Sequence, residues 1–115
     1  MTEVDLVTAI GALVGGRVFP DVAPFATVTP FAVYQQVGGQ AINFLEAASS
    51  TKKNARIQIT IWAETRLEAM TKIRQLEDVM RAAPIFAYVE GAAIAHYDNS
   101  TKLRGALQDF SVWIN

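Results

Sequence analysis

The side chains that could do chemistry in this sequence are few and far apart. His96 is the single histidine, and the chain has no cysteine. Zinc sites and thiolate nucleophiles therefore lack their usual residues. Glu77 and Asp78 are adjacent in a stretch of helical periodicity, where neighbouring side chains point away from each other. We interpret His96 as a surface or hydrogen-bonded residue, with a catalytic base as the alternative, and the two carboxylates as part of a solvated helix face.

The glycine pairs and the one basic cluster do not form a phosphate site. Gly15-Gly16 and Gly38-Gly39 match neither the P-loop pattern nor the glycine pattern of dinucleotide-binding proteins. We interpret the cluster of Lys52, Lys53 and Arg56 as a solvated loop end beside a strand, or as an anchor for an acidic patch on a partner. A phosphate contact is disfavoured because the net charge is −1 and no row of aromatic residues accompanies the cluster. The sequence predicts no cofactor and no metal.

Two tryptophans are candidates for contacts with a partner. Trp62 and Trp113 alternate with apolar stripes that predict the buried face of their strands, so both are expected on the outer face of a sheet. Tyr34 occupies an alternate position of an earlier strand and is expected to join them. Such an aromatic group is either an interface anchor or a set of half-buried cross-strand pairs, and the sequence favours neither.

The elements that must position these residues belong to one small domain. With 115 residues, of which 51% are hydrophobic, the chain predicts a single globular domain over residues 1–115. Ten basic against eleven acidic residues argue against nucleic-acid binding. The longest apolar runs are far shorter than the ~20 residues of a membrane span. Because the first residues are acidic where a signal peptide would be basic, we expect a soluble intracellular protein.

The periodicity of the sequence predicts an α+β fold. Thr2 caps a helix that Gly15-Gly16 ends, and Thr65 caps a second helix that ends at Ala83-Pro84. The proline-rich residues 17–30 are expected to be an irregular connection. Strands are predicted over residues 31–37, 56–64, 85–97 and 103–114. The order α-β-β-α-β-β gives a two-layer sandwich, with the helices packed on one face of a mainly antiparallel four-stranded sheet.

The segment between the first two predicted strands is too long for a hairpin connection. Residues 38–55 open with two glycines and close with a Ser/Thr/Lys/Asn run, whereas hairpin links usually need about 2–5 residues. Such an arm is typical of a segment that becomes ordered only against a partner. We expect the subunit or partner interface to include arm residues, the basic cluster and the two tryptophans. They are Gln40, Asn43, Phe44, Leu45, Lys52, Lys53, Arg56, Trp62 and Trp113.

Four motifs occur in an order that is typical of one protein family. They are Leu13-Val14-Gly15-Gly16-Arg17-Val18-Phe19-Pro20-Asp21-Val22-Ala23-Pro24, Pro30-Phe31-Ala32-Val33-Tyr34-Gln35-Gln36, Ala55-Arg56-Ile57-Gln58-Ile59-Thr60-Ile61-Trp62-Ala63 and Asp109-Phe110-Ser111-Val112-Trp113. Across essentially the whole chain, this order resembles the tail-completion proteins of long-tailed bacteriophages. That family is similar to the lambda-type tail terminators and the tail-to-head joining proteins.

The resemblance implies an assembly role. Proteins of this kind are not known as enzymes, and they form a ring, commonly hexameric, on the last ring of the tail tube. The ring stops tube polymerisation and offers a surface to the head connector. The implied partners are further copies of the chain, the major tail tube protein and a head-completion protein. The resemblance also implies that the arm is mobile in the monomer and ordered in the ring, and that the protein assembles in the bacterial cytoplasm and ends at the head–tail junction of the virion.

Two other functions remain open. A small intracellular ligand-binding or regulatory α+β module would place convergent polar groups in an apolar pocket between sheet and helices. An enzyme comes third, because no nucleophile, base and orienting residue form a recognisable set. The sequence shows neither arrangement, so the assembly role is the favoured prediction.

Overall fold

The computed structural model describes residues 1–41 and 52–115. Within these residues the chain forms two helices and six strands. In chain order they are α1 (Glu3–Gly11), β1 (Val18–Pro20), β2 (Phe31–Gly38), β3 (Lys53–Ala63), α2 (Arg66–Arg81), β4 (Tyr88–Val89), β5 (Ile94–Tyr97) and β6 (Arg104–Ile114). The predicted α+β class is confirmed, whereas the element order and the number of strands differ from the prediction. Among the described residues, no helix is both long and apolar enough to cross a membrane.

Both helices begin at the residues that the sequence predicts. The Thr2 hydroxyl accepts a hydrogen bond from the backbone N–H of Asp5, and the Asp5 carboxylate accepts one from the N–H of Thr2 at 2.9 Å. The Thr65 hydroxyl accepts from the N–H of Glu68 at 3.2 Å. Helix α2 ends just before Ala83-Pro84, as predicted.

Helix α1 ends earlier than predicted. Its last residue is Gly11, and residues 12–16 form turns in which the N–H of Gly16 bonds to the Gly11 carbonyl at 2.9 Å. Gly15 and Gly16 adopt positive φ angles of 61° and 80°, which glycine reaches without the steric cost that a side chain brings. The glycine pair therefore closes a turn after the helix, and this turn leads the chain into β1.

The sheet is mixed and has more strands than predicted. Its strands lie in the order β1-β2-β3-β6-β4, and β5 also pairs with β6. Strand β1 runs parallel to β2, whereas the other pairs are antiparallel. The predicted count of four strands is wrong, and so is the prediction that residues 17–30 are wholly irregular. The short strand tolerates Pro20 because it lies at the sheet edge.

The segment 85–97, predicted as one strand, forms two short strands. Strands β4 and β5 pair with β6 on either side of Gly91, whose φ of 132° interrupts the extended path. The Gln108 amide on β6 donates to the Gly91 carbonyl at 2.8 Å and to Glu77 Oε1 on α2 at 2.9 Å. Because Gln108 is buried, its amide ties the kink between the two strands to helix α2.

Both helices pack on one face of the sheet, as predicted. Alternate residues of β3 point to this face, and Ile57, Ile59 and Ile61 are almost completely buried. The same core cluster includes residues from both helices. The large ones are Leu6, Ile10, Ile73, Leu76 and Met80.

Tyr34 lies on the helix-covered face, and its predicted position on the outer face is wrong. Ala32 and Tyr34 of β2 are buried, and the Tyr34 hydroxyl donates a hydrogen bond to Glu3 Oε1 at 2.9 Å. Burial, as the larger effect, and the hydrogen bond to Glu3 raise the pKa of Tyr34 to about 12. The prediction failed because both alternate sets of residues at the start of β2 are apolar, so the alternation does not identify the buried face.

Candidate functional site

The sheet face that the helices leave uncovered carries several of the predicted site residues. It consists of the even-numbered residues of β3 from Asn54 to Trp62 and the odd-numbered residues of β6 from Gly105 to Trp113, which pair across the two strands. We call this surface the outer face. Its middle is polar, and one tryptophan lies at each end.

An ion pair crosses the middle of the outer face. Arg56 Nε lies 2.9 Å from Asp109 Oδ2, and the Gln58 amide donates to Asp109 Oδ1 at 3.1 Å. The side chain of Arg56 is 47% exposed and that of Asp109 is 18% exposed. A partly exposed pair of this kind contributes at most about 1 kcal/mol to stability. Arg56, a predicted anchor for an acidic partner, is thus already paired with a carboxylate of its own sheet.

Asn54 links the arm to the outer face. Its Nδ2 donates to Ser111 Oγ at 2.9 Å and to the Val112 carbonyl at 3.2 Å, while its Oδ1 accepts from the N–H of Gln40 at 2.9 Å. Gln40, a predicted contact residue, therefore lies beside the outer face. Sequence reasoning did not single out Asn54, because its partners lie 14 or more positions away along the chain.

The predicted arm, residues 38–55, is bounded by strand at both ends. Gly38 is the last residue of β2, and Lys53 is the first residue of β3. Lys52 and Lys53 are both exposed at this end of the sheet. Three further predicted contact residues, Asn43, Phe44 and Leu45, lie outside the described residues.

The two tryptophans lie on the outer face, as predicted, but they do not form one cluster. Trp62 pairs with Gly105 and Trp113 with Asn54, so eight positions along β3, or about 26 Å, separate them. A Cβ at Gly105 would lie 2.9 Å from the Trp62 ring, and this ring meets His96 edge-on with centroids 5.7 Å apart. Trp62 is therefore a cross-strand packing residue, whereas Trp113 remains 42% exposed.

A groove at one end of the outer face was not predicted from the sequence. The loop of residues 21–29 folds over this end and borders an open groove of about 730 Å³. Phe31, Val33 and Trp62 contribute apolar surface to the groove. The sequence predicted only an irregular connection here, since the path of a loop over a sheet depends on residues that are distant along the chain.

Three carboxylates line this groove: Asp21, Glu64 and Asp98. The Thr29 hydroxyl donates to Glu64 Oε1 at 3.1 Å and so ties the loop to the end of β3. Hydrogen bonds from the Thr101 hydroxyl and from a backbone N–H lower the pKa of Asp98. None of the described residues that line the groove is Lys or Arg, so its lining is acidic.

The groove lies on the outer face of the sheet, whereas a ligand-binding module was expected to have its pocket between the sheet and the helices. Between the sheet and the helices, Ile59, Ile73 and Leu76 are fully buried, and the buried amide of Gln108 bonds to protein groups. Over residues 1–41 and 52–115, no three His, Cys, Asp or Glu side chains are grouped so that they could hold a metal ion.

Fold and surface together define a small α+β domain with one helix-covered and one uncovered sheet face. The family model of the tail completion protein gp17 matches residues 6–115. The chain belongs to this family, and it is therefore a phage tail-completion protein with a structural role in the tail. The family resemblance found in the sequence motifs is confirmed.

The fold recurs in a solved virion structure. A chain in the virion of a native gene transfer agent particle is similar to this chain with a TM-score of 0.54 and 14% sequence identity. The likeness covers 91% of this chain and 83% of that chain. At this identity it shows the fold alone. No curated protein matches the sequence.

Proposed function

We propose that this chain forms a ring, taken to be a hexamer, on the end of the tail tube. There it stops tube polymerisation and offers the surface that joins the head. The observation that carries this proposal is the family match over residues 6–115, which also favours a structural over a catalytic role. The partners would be further copies of the chain, the major tail tube protein and a head-completion protein. Assembly would take place in the bacterial cytoplasm, and the final position would be the head–tail junction.

The two edges of the sheet support ring formation. Strand β1 forms one edge and pairs in parallel with its neighbour, whereas β4 lies at the other edge and pairs antiparallel. Two different surfaces that join successive copies make a heterologous contact, and such contacts give a ring when the rotation between subunits closes. A subunit with two unlike edges is suited to this kind of contact.

The arm supplies the second part of the proposal, a subunit contact that starts beside the outer face. Asn54 binds the N–H of Gln40, so the arm leaves the sheet from a fixed point. Arg56 and Trp62 would act indirectly, since their side chains already pack within the sheet. The proposed direct contacts are Gln40, Asn43, Phe44, Leu45, Lys52, Lys53 and Trp113.

Electron microscopy of tails that lack this protein tests the proposed function. The gene would be deleted from the phage or prophage that carries it, and tail length and head attachment would be measured. We expect overlong tails or tails without heads, and a plasmid copy of the gene should restore normal particles. Normal virions after the deletion would refute the proposal.

A loop replacement tests the role of the arm separately. Residues 42–51 would be replaced by a Gly/Ser linker of equal length, which leaves both flanking strands unchanged. We expect the same circular dichroism spectrum as the unaltered protein but a loss of tail completion, with Leu67→Ala, exposed on α2, as the control that completes tails. Normal tails with the linker variant would exclude Asn43, Phe44 and Leu45 as contacts and leave the tail-terminating function standing.

A further inference from the structure

An exposed apolar loop lies over the end of the outer face that carries Trp62. Val22, Phe25 and Val28 are 78%, 98% and 69% exposed, and we call them the loop patch. The Thr27 hydroxyl donates to the Pro24 carbonyl at 2.6 Å, so the loop has internal bonds of its own. Aromatic side chains left in water at such a position are typical of contact anchors.

A second exposed aromatic group lies where α2 leads into β4. Phe86 and Tyr88 are 68% and 78% exposed, and with Arg81 they line a hollow of about 390 Å³. We call these three residues the turn patch. The N–H of Phe86 bonds to the Ala82 carbonyl at 3.0 Å, and this holds Phe86 at a φ of 51°. A bulky residue rarely adopts a positive φ, because this backbone conformation is strained. The Phe86 side chain is exposed, so its burial does not compensate for this strain. Uncompensated backbone strain is typical of a functional surface.

The two patches lie far apart on the same subunit. The loop patch lies over the end of β3 that carries Trp62, which pairs with Gly105. Tyr88 of the turn patch pairs with Ser111, six positions farther along β6. A subunit that presents two such separate patches can contact one neighbour with the first and another neighbour with the second. This is the arrangement that a heterologous contact requires.

The charges around the two patches are complementary. Asp21 and Glu64 lie in the acidic groove beneath the loop patch. The turn patch carries Arg81, whose side chain is 60% exposed and whose nearest carboxylate, that of Glu77, lies 4.0 Å away. An exposed guanidinium with such a loose partner is available to a carboxylate of another chain.

We propose that the loop patch of one subunit docks on the turn patch of a second copy, with the Phe25 side chain in the hollow beside Phe86 and Tyr88. The inference rests on the proposed ring, in which every subunit would use both patches. The occupant is a second copy of this chain, because both halves of the contact, apolar and charged, are present on one subunit and are too far apart to meet within it.

Cysteine cross-linking tests this contact, since the chain has no cysteine of its own. The double variant Ala26→Cys with Glu90→Cys, at exposed residues beside the two patches, leaves the aromatic side chains in place. It would be treated with a short bismaleimide, both in tails and as purified protein at high concentration. We expect a ladder of cross-linked subunits. Each single variant should give no cross-link to itself, because unlike patches meet. The control is Val4→Cys with Leu67→Cys, exposed residues of the helices at 72% and 76%, and it should give no ladder.

The outcomes separate the contact from the function. No ladder in either preparation, or self-cross-linking of Ala26→Cys alone, would overturn the docking contact. If tails from the gene deletion are overlong while the double variant gives no ladder, the contact fails and the function stands. If tails without the gene are normal but purified protein gives the ladder, the contact stands and the function fails.

A truncation measures how much Phe25 contributes. Because Phe25 is 98% exposed, Phe25→Ala should leave folding unchanged and raise the subunit dissociation constant roughly 30-fold, as expected for a contact anchor. Sedimentation equilibrium, run at concentrations where the unaltered protein associates, measures this change, with Leu67→Ala as the unchanged control. Equal dissociation constants for Phe25→Ala and Leu67→Ala would exclude Phe25 as the anchor. If the free protein does not associate, the cross-linking experiment alone tests the contact.

Discussion

The hydrogen bond between Tyr34 and Glu3 makes the stability of this protein decrease at alkaline pH. The hydroxyl of the buried Tyr34 donates to Glu3 Oε1 at 2.9 Å and so joins the first turn of α1 to the middle of β2. At neutral pH, Tyr34→Phe removes this bond. Hydrogen bonds to charged groups contribute about 1.5–3 kcal/mol, but Glu3 is exposed, and screening by solvent reduces the expected loss to about 1 kcal/mol.

The direction of the pH effect follows from the pKa of Tyr34. Burial and the Glu3 bond raise this pKa from 10.0 to about 12, so the folded state holds the proton more tightly than the unfolded chain. The stabilisation is complete below pH 10 and is lost as the pH rises toward 12. Two pKa units correspond to about 2.7 kcal/mol, which is an upper limit because Glu3 is exposed.

Urea unfolding, followed by far-UV circular dichroism between pH 8 and pH 11.5, measures this effect. The unfolding free energy of the unaltered protein should exceed that of Tyr34→Phe at pH 8, and the difference should shrink above pH 10. Tyr88→Phe, at a residue that is 78% exposed, is the matched control and should follow the unaltered protein. A constant difference between the unaltered protein and Tyr34→Phe across this range would refute the reasoning.

Three substitutions test the packing of the sheet and of α2. Gly105→Ala places a methyl group 2.9 Å from the Trp62 ring, and we expect an unfolding free energy lower by about 1–3 kcal/mol and altered fluorescence in a Trp113→Phe background. Gln108→Leu removes the two hydrogen bonds of a buried amide, and urea unfolding should show a loss of about 1–3 kcal/mol. Thr65→Ala removes the N-cap of α2, and thermal unfolding should show a loss of about 1 kcal/mol.

Matched controls exist for all three substitutions. Gly11→Ala meets no atom closer than 3.5 Å, and Gln75→Leu and Thr71→Ala change exposed residues of α2. If Gly105→Ala and Gly11→Ala have equal unfolding free energies, the Trp62 ring moves aside for the added methyl group without a cost in stability. If Gln108→Leu is no more destabilising than Gln75→Leu, the buried amide contributes nothing measurable to stability. If Thr65→Ala is no more destabilising than Thr71→Ala, the same holds for the N-cap.

Local signals predicted much of this fold, because the residues that carry them act over short distances. Ile57, Ile59 and Ile61 alternate along one strand, and that alternation alone fixes the buried face of β3. Thr2 and Thr65 cap their helices through N–H groups three residues away. In each case the interacting groups lie within one turn or one strand.

The features that were missed depend on distant residues. The three-residue strand β1 exists because it lies beside β2, and no periodicity in so short a segment predicts a parallel pair. The division of residues 85–97 into two strands depends on Gln108, which lies 17 positions beyond Gly91. At the outer face, Arg56 was identified from sequence, but its partner Asp109 is 53 positions away.

The kink at Gly91 also limits how the protein can aggregate. A sheet edge is a template for the pairing of further strands, and long uninterrupted edges lead to fibres. Here the edge on β6 offers only the two residues of β4 and the four residues of β5, and the Gln108 amide holds the interruption between them in place. A foreign strand would find no long, straight row of free backbone groups on this side, so indefinite edge-to-edge growth is disfavoured, and side chains rather than backbone ladders decide what binds there.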